Sequence, residues 1–133
     1  MKIIAIQFHP NRVPELKMKQ VVEFFRSLAY KSKKIDDIRV VYGLSRRKKY
    51  VDIYYKTKNL KDAWSEIKEK MLNQKEQGSS LRRGLIIVCE GTYSWDDYLL
   101  LYHFDKKQKL DSFAKKKKIR PLKWETKGSA SEM

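Results

Sequence analysis

Short apolar runs of strand length alternate along this chain with stretches of helical periodicity, and their order constrains the fold more than any other feature. Four runs are short and rich in β-branched or aromatic residues: 2–8, 37–44, 49–56 and 85–89. Runs of that length and composition are typical of strands. Apolar residues recur at three- and four-residue steps over about 14–31 and 59–72, as they do in amphipathic helices. The sequence therefore predicts the element order β-α-β-β-α-β.

This order is the ferredoxin-like split β-α-β pattern, in which an antiparallel sheet carries two helices on one face. We predict an α+β fold of this type, followed by a C-terminal strand and a basic extension. Ten positions are expected to share one hydrophobic core: Ile4, Ile6, Phe24, Phe25, Val40, Val51, Ile53, Trp64, Ile67 and Ile87. Residues 1–125 are expected to form a single domain with a basic C-terminal region from about residue 106, and residues 126–133 a frayed tail.

Two segments beside the fourth strand need separate treatment. The run 98–104 is flanked by aromatic residues, which favours a fifth strand. The alternative is a helix, because Ser94 followed by Asp97 resembles a capping box. Ahead of the fourth strand, the polar residues 77–80 predict a loop.

The chain is strongly basic, and its charge indicates the kind of partner that it attracts. It carries 31 Lys and Arg against 16 Asp and Glu among 133 residues, a formal net charge of +15. The electrostatic field of a chain with this net charge attracts polyanions such as nucleic acid, whatever the fold of the chain. Hydrophobic residues make up 41% of the chain, which favours a folded core over disorder.

The hairpin predicted over 37–56 carries the strongest binding pattern. Its second arm alternates, so Tyr50 and Tyr54 are expected on the sheet face opposite Ile53. Aromatic rings on a sheet can stack on unpaired bases while flanking cations hold the backbone. The arm lacks the glycines of the RNA-recognition-motif signature, and Asp52 adds a negative charge, so we infer no membership of that class.

Ten cations in the hairpin and in a C-terminal cluster are expected to contact phosphate: Arg46, Arg47, Lys48, Lys49, Lys56, Lys115, Lys116, Lys117, Lys118 and Arg120. The predicted function is therefore non-catalytic nucleic-acid binding, with RNA or single-stranded DNA favoured over duplex. The alternative is a protein-interaction module, such as an inhibitor, immunity protein or adaptor, that docks an acidic partner. Trp95 is expected in a loop, where an exposed tryptophan would indicate an interface.

Patterns that point to catalysis are few. The chain has no P-loop, GxSxG or HExxH motif. Acidic residues near the ends of predicted strands could hold Mg²⁺ for phosphodiester cleavage: Asp36, Asp37, Glu90, Asp96, Asp97 and Asp105. A metal-dependent nuclease is therefore the third hypothesis. His9 and His103 could also meet in space. The balance favours a protein that is not an enzyme, so no catalytic residue, metal ligand or cofactor is assigned.

Cysteine usage and hydropathy bear on the compartment. Cys89 is the only cysteine, which excludes a disulfide within one chain and fits a reducing compartment. The apolar run near the N-terminus is broken by residues 7–10, and it is too short for a signal peptide. No apolar run approaches the roughly 20 residues that a spanning helix needs. We therefore expect a cytoplasmic protein without a membrane partner, and the sequence leaves its oligomeric state open.

Overall fold

The computed structural model of the chain describes residues 1–73 and 77–113, which contain five strands and three α-helices. The strands are β1 (Lys2–Phe8), β2 (Asp37–Ser45), β3 (Lys48–Thr57), β4 (Leu85–Gly91) and β5 (Ser94–His103). The helices are α1 (Met18–Lys31), α2 (Leu60–Asn73) and α3 (Gln77–Arg82), and a short 3-10 helix covers Pro10–Arg12. The predicted fifth strand is confirmed as β5.

The five strands form one antiparallel sheet in the order β2-β3-β1-β4-β5. This arrangement confirms the α+β class and the antiparallel sheet. The order differs from that of a four-stranded ferredoxin-like sheet, because β5 pairs with β4 and extends the sheet beyond it. The ferredoxin-like assignment therefore stays a prediction.

One face of the sheet holds the hydrophobic core. Ile6 of β1 lies opposite Ile53 of β3 and Ile87 of β4, and all three side chains are fully buried. Directly opposite residues share a face, so these strands bury the same side of the sheet. Phe25 of α1 and Ile67 of α2 belong to the same buried cluster. The ten residues predicted for the core all lie in this cluster or pack against it, which confirms that prediction.

Tyr55 joins β3 to α1 within this core. Its ring is fully buried, and its hydroxyl donates a hydrogen bond to the backbone carbonyl of Phe25. Burial raises the pKa of the Tyr55 hydroxyl, so the donor proton is retained at neutral pH. A polar group can be buried at this depth because it has a hydrogen-bond partner.

The predicted start of the first helix, at about residue 14, is wrong. The chain first turns around Val13, which is fully buried, and the N–H of Leu16 donates to the carbonyl of Val13. α1 begins only at Met18, where the Gln20 side chain accepts the N–H of Lys17. The apolar residues ahead of the helix belong to this turn, and their spacing extends the helical pattern by coincidence.

The loop predicted over 77–80 is also wrong, because these residues belong to α3. Leu81 is fully buried and fixes the end of this short helix against the core. One apolar anchor creates no periodic pattern, so the sequence gives no sign of a helix here. No helix within residues 1–73 and 77–113 has both the length and the apolar character needed to cross a membrane.

Candidate nucleic-acid interface

The sheet face opposite the helices carries partly exposed side chains. Ala5 of β1 lies opposite Tyr54 of β3 and Val88 of β4, and all three alternate with buried core residues. We call this surface the open face. It includes Ile3, Ala5, Gln7, Asp37, Arg39, Val41, Gly43, Tyr50, Asp52, Tyr54, Lys56, Ile86 and Val88. The predicted placement of Tyr50 and Tyr54 opposite Ile53 is confirmed.

A groove of about 340 Å³ lies on the open face, and we call it the aromatic groove. It is lined by Ile3, Asp37, Arg39, Val41, Tyr54, Lys56 and Trp95. The Tyr54 ring is partly buried, and Trp95 is 41% exposed. The groove therefore brings two aromatic side chains together with two cations, the Asp37 carboxylate and two apolar side chains.

The register of the sheet assembles most of this groove. Arg39 of β2 lies directly opposite Tyr54, and Asp37 lies opposite Lys56. Side chains at opposite positions of an antiparallel pair are about 4.5–5.5 Å apart at Cβ. The guanidinium and the ammonium therefore belong to the same surface as the tyrosine ring, although they come from two strands.

The turn between β4 and β5 positions Trp95. Asp97 is buried, and its carboxylate accepts the backbone N–H groups of Thr92 and Tyr93 at 3.0 and 2.7 Å. Glu90 accepts the N–H of Ile3 at 2.7 Å and the hydroxyl of Ser94 at 2.6 Å. These bonds hold the start of β5 beside β1, so Trp95 reaches the aromatic groove.

Asp52 brings negative charge to the open face, as the sequence indicated. Its carboxylate accepts a hydrogen bond from the Gln7 side-chain amide at 2.9 Å and a long one from the Tyr54 hydroxyl at 3.5 Å. Burial, and then the charge of Asp52, raises the pKa of Tyr54. Tyr54 therefore stays neutral near pH 7 and adds no repulsion toward a polyanion.

Tyr50 and Tyr54 have different surroundings on the open face. The Tyr50 ring lies against the backbone of Gly43, where a Cβ atom would sit 2.1 Å from the ring. An aromatic ring over a cross-strand glycine shields backbone that the glycine leaves bare. Tyr50 is thus engaged with β2, whereas Tyr54 lines the aromatic groove.

The basic hairpin tip lies apart from the aromatic groove. Arg47, Lys48 and Lys49 line a shallow hollow. Its other lining residues are Pro10, Asn11, Pro14, Leu16, Lys17 and Met18. None of these four cations has an acidic partner within 4 Å in the described part of the chain. Of the predicted phosphate contacts, only Lys56 lies in the groove itself, and those from Lys115 to Arg120 fall outside the described residues.

Both histidines lie beside the ring of Phe104, at the opposite end of β1 from Trp95. The His9 and His103 rings both contact Phe104, with centroid distances of 5.8 and 4.6 Å, and Arg12 lies 3.7 Å above the same ring. Burial lowers the pKa of His9, and the charges of Arg12 and His103 add to this while Asp52 opposes it. Within residues 1–73 and 77–113, no three His, Cys, Asp or Glu side chains form a group able to hold a metal ion.

Comparison of the chain with protein-family models, curated proteins and solved structures gives no match. Its function is therefore inferred from the chemistry of the aromatic groove. Sequence reasoning missed Arg39 as a candidate. It expected Trp95 in a loop, where exposure would indicate an interface; Trp95 is exposed, but the loop placement is wrong because the residue belongs to β5. The role of Arg39 and Trp95 depends on the register of β2 against β3 and on the β4–β5 turn, which no local pattern reveals.

Proposed function

We propose that the protein binds single-stranded nucleic acid, RNA or DNA, on the open face without catalysing a reaction. The observation that carries the proposal is the aromatic groove, in which Tyr54 and Trp95 lie beside Arg39 and Lys56. Stacking of a base on an aromatic side chain contributes about 1–3 kcal/mol. The two cations add phosphate contacts that carry no sequence information.

Unpaired bases suit this surface better than a duplex does. Two apolar side chains, Ile3 and Val41, line the groove together with the aromatic side chains of Tyr54 and Trp95. In a duplex, the faces of the bases are already stacked on one another, so only unpaired bases can enter such a groove. The cations of the hairpin tip lie apart from the groove, and they add phosphate contacts only for a strand long enough to reach them.

Titration of a labelled single-stranded oligonucleotide against four proteins tests the proposal. We compare the unaltered chain with Tyr54→Ala, Tyr54→Phe and Tyr30→Ala. Tyr30 is 91% exposed on α1, so the last variant loses the same ring from the helical side. Tyr54→Ala is expected to weaken binding by about 1–3 kcal/mol, because it removes one stacking partner. Tyr54→Phe and Tyr30→Ala are expected to bind as the unaltered chain does.

Equal affinities for Tyr54→Ala and Tyr30→Ala would contradict the proposal. So would tighter binding of a duplex than of a single strand with the same sequence. Both measurements are made at moderate salt, because phosphate attraction weakens with salt while stacking is little screened.

A second candidate is a protein-interaction module that docks an acidic protein. The hollow of four unpaired cations, Lys17, Arg47, Lys48 and Lys49, favours it, because the hollow contains no aromatic side chain. Competition separates the two functions. Generic single-stranded nucleic acid displaces a bound oligonucleotide from the open face, but it leaves a specific protein partner in place.

A further inference from the structure

The two edges of the sheet differ in how well they are protected. At the β5 edge, the chain that follows the strand returns to it: the N–H of Asp111 donates to the carbonyl of Leu100, and the Asp111 carboxylate accepts the N–H of Leu100, both at 2.8 Å. β5 also shows breaks in its register with β4. Bulges and covering segments are two of the devices by which proteins block unwanted strand pairing.

Within residues 1–73 and 77–113, the β2 edge has neither device. β2 is nine residues long, contains no proline or lysine, and pairs with β3 without a break in register. Alternate backbone groups of an edge strand point away from the sheet and need partners. Two of its large apolar side chains are also exposed, Tyr42 at 59% and Leu44 at 66%.

We propose that β2 pairs with β2 of a second copy of this chain, antiparallel and about a two-fold axis at Val41. This register uses all nine residues of the strand. It places Tyr42 opposite Val40 of the second copy and Leu44 opposite Ile38 of the second copy. The two-fold axis generates each of these pairs twice. Ile38 and Val40 already pack against the core. The exposed apolar side chains thus extend the buried cluster of the other copy.

Charge complementarity favours a second copy over an unrelated strand. The same register carries Asp36 and Asp37 to the hairpin tip of the partner, where Arg46 and Arg47 lie. All four side chains are exposed, and within the described ranges none of them has an ion-pair partner in its own chain. The two-fold axis generates two such clusters of aspartate and arginine side chains, one at each end of the paired strands. They offset locally the repulsion between two chains of net charge +15.

Pairing in the plane of the sheet leaves the open face uncovered. The two five-stranded sheets form one continuous sheet. Because Val41 lies at the axis and also lines the aromatic groove, the two grooves lie next to each other on either side of the axis. The pairing rests on the edge geometry and the charges, and it does not require the proposed nucleic-acid binding.

The test measures the molar mass of the full chain by sedimentation over a concentration series, after nucleic acid has been removed. The ionic strength is physiological, where the Debye length is about 8 Å. Tyr42→Lys places a charge in the edge, and Tyr30→Lys is its control on α1. Two half-swaps, Asp36→Lys with Asp37→Lys and Arg46→Asp with Arg47→Asp, are made separately and then combined.

The unaltered chain and Tyr30→Lys are expected to dimerise, and Tyr42→Lys is expected to dimerise at least about tenfold more weakly. Each half-swap weakens the dimer, and the combined swap restores it, which a merely unfolded variant cannot do. The inference is overturned if the unaltered chain stays monomeric throughout the series. It is also overturned if the dimer is insensitive to Tyr42→Lys, or if the combined swap dimerises no better than its halves.

Discussion

Ile53 and Tyr54 are neighbours in β3, yet they belong to surfaces with opposite properties. Ile53 is fully buried between the sheet and the helices, whereas Tyr54 lines a groove that is open to solvent. The buried residues on the core face of the three central strands are apolar apart from the Cys89 thiol and two hydroxyls, those of Tyr55 and Thr57, each of which donates to a backbone carbonyl. The open face mixes aromatic, cationic, acidic and small apolar side chains. The two-residue period of a strand lets one segment supply both surfaces.

The difference shows where this chain can change without unfolding. A charge on the core face would lose its hydration without gaining a partner, and that costs several kcal/mol. On the open face, Arg39, Asp52 and Lys56 keep contact with water. The open face can therefore hold a binding surface at little cost in stability. Variants of the core face should change the free energy of unfolding, whereas variants of the open face should change the affinity for nucleic acid.

The largest effect is expected on the core face. Ile53→Ala leaves a cavity among Ile6, Ile67 and their neighbours, and it should reduce the free energy of unfolding by about 2–5 kcal/mol. Chemical denaturation measures the loss. The folded fraction should bind an oligonucleotide with unchanged affinity, because Ile53 does not reach the open face. A loss below about 1 kcal/mol would show that this face is less tightly packed than the structure indicates.

The hairpin tip should respond in the opposite direction. Arg46 and Arg47 have φ angles of 51° and 67°, so both lie in the left-handed region that a two-residue type I′ turn requires. Asn and Gly adopt this region at lower cost than arginine does. The double variant Arg46→Asn, Arg47→Gly should raise the free energy of unfolding by about 1–2 kcal/mol.

The same double variant should weaken nucleic-acid binding although it is more stable. Each lost phosphate contact lowers the log–log salt dependence of single-strand binding by about 0.7. Thermal melts and binding at several salt concentrations measure the two effects separately. A salt slope equal to that of the unaltered chain would show that the tip does not touch phosphate.

The sequence was sufficient for those features that depend on neighbours along the chain. Alternation over residues 50–55 predicted which β3 side chains enter the core, and the apolar run 85–89 predicted β4. The aromatic groove could not be predicted in the same way. Arg39 meets Tyr54 through strand register, and Trp95 arrives through bonds made by Glu90 and Asp97.

Substitution of Asp52 is expected to tighten nucleic-acid binding, whereas the hairpin-tip variant weakens it, and the effect is smaller. Asp52→Asn removes a negative charge from the open face and keeps an oxygen that can accept the Gln7 bond. Oligonucleotide binding should tighten by about 1 kcal/mol or less, the size of a charge interaction at short range in water. Glu69→Gln makes the same change of charge at an exposed site on α2 and is the control. Equal tightening by both variants would indicate a response to net charge alone.

The smallest effect concerns pH and His9, at the end of β1. Burial lowers the pKa of His9 below its usual value of 6.5, so the unfolded chain binds this proton more readily than the folded chain. The contribution of neutral His9 to the free energy of unfolding is fully present above about pH 6.5. It is lost as the pH falls from there through the lowered pKa. His9→Gln should flatten the dependence of the melting temperature on pH over this window. An unchanged slope would assign the dependence to other groups.

Chemical-shift mapping by NMR tests most directly the claim that the open face binds single-stranded nucleic acid. A short single-stranded oligonucleotide is titrated into the labelled chain at moderate salt. The largest shifts are expected at backbone amides beside the aromatic groove, those of Ile3, Arg39, Tyr54 and Trp95. Amides along α1 and α2 should shift little. Shifts concentrated on those helices, or confined to the hairpin tip while the groove residues stay unchanged, would contradict the account.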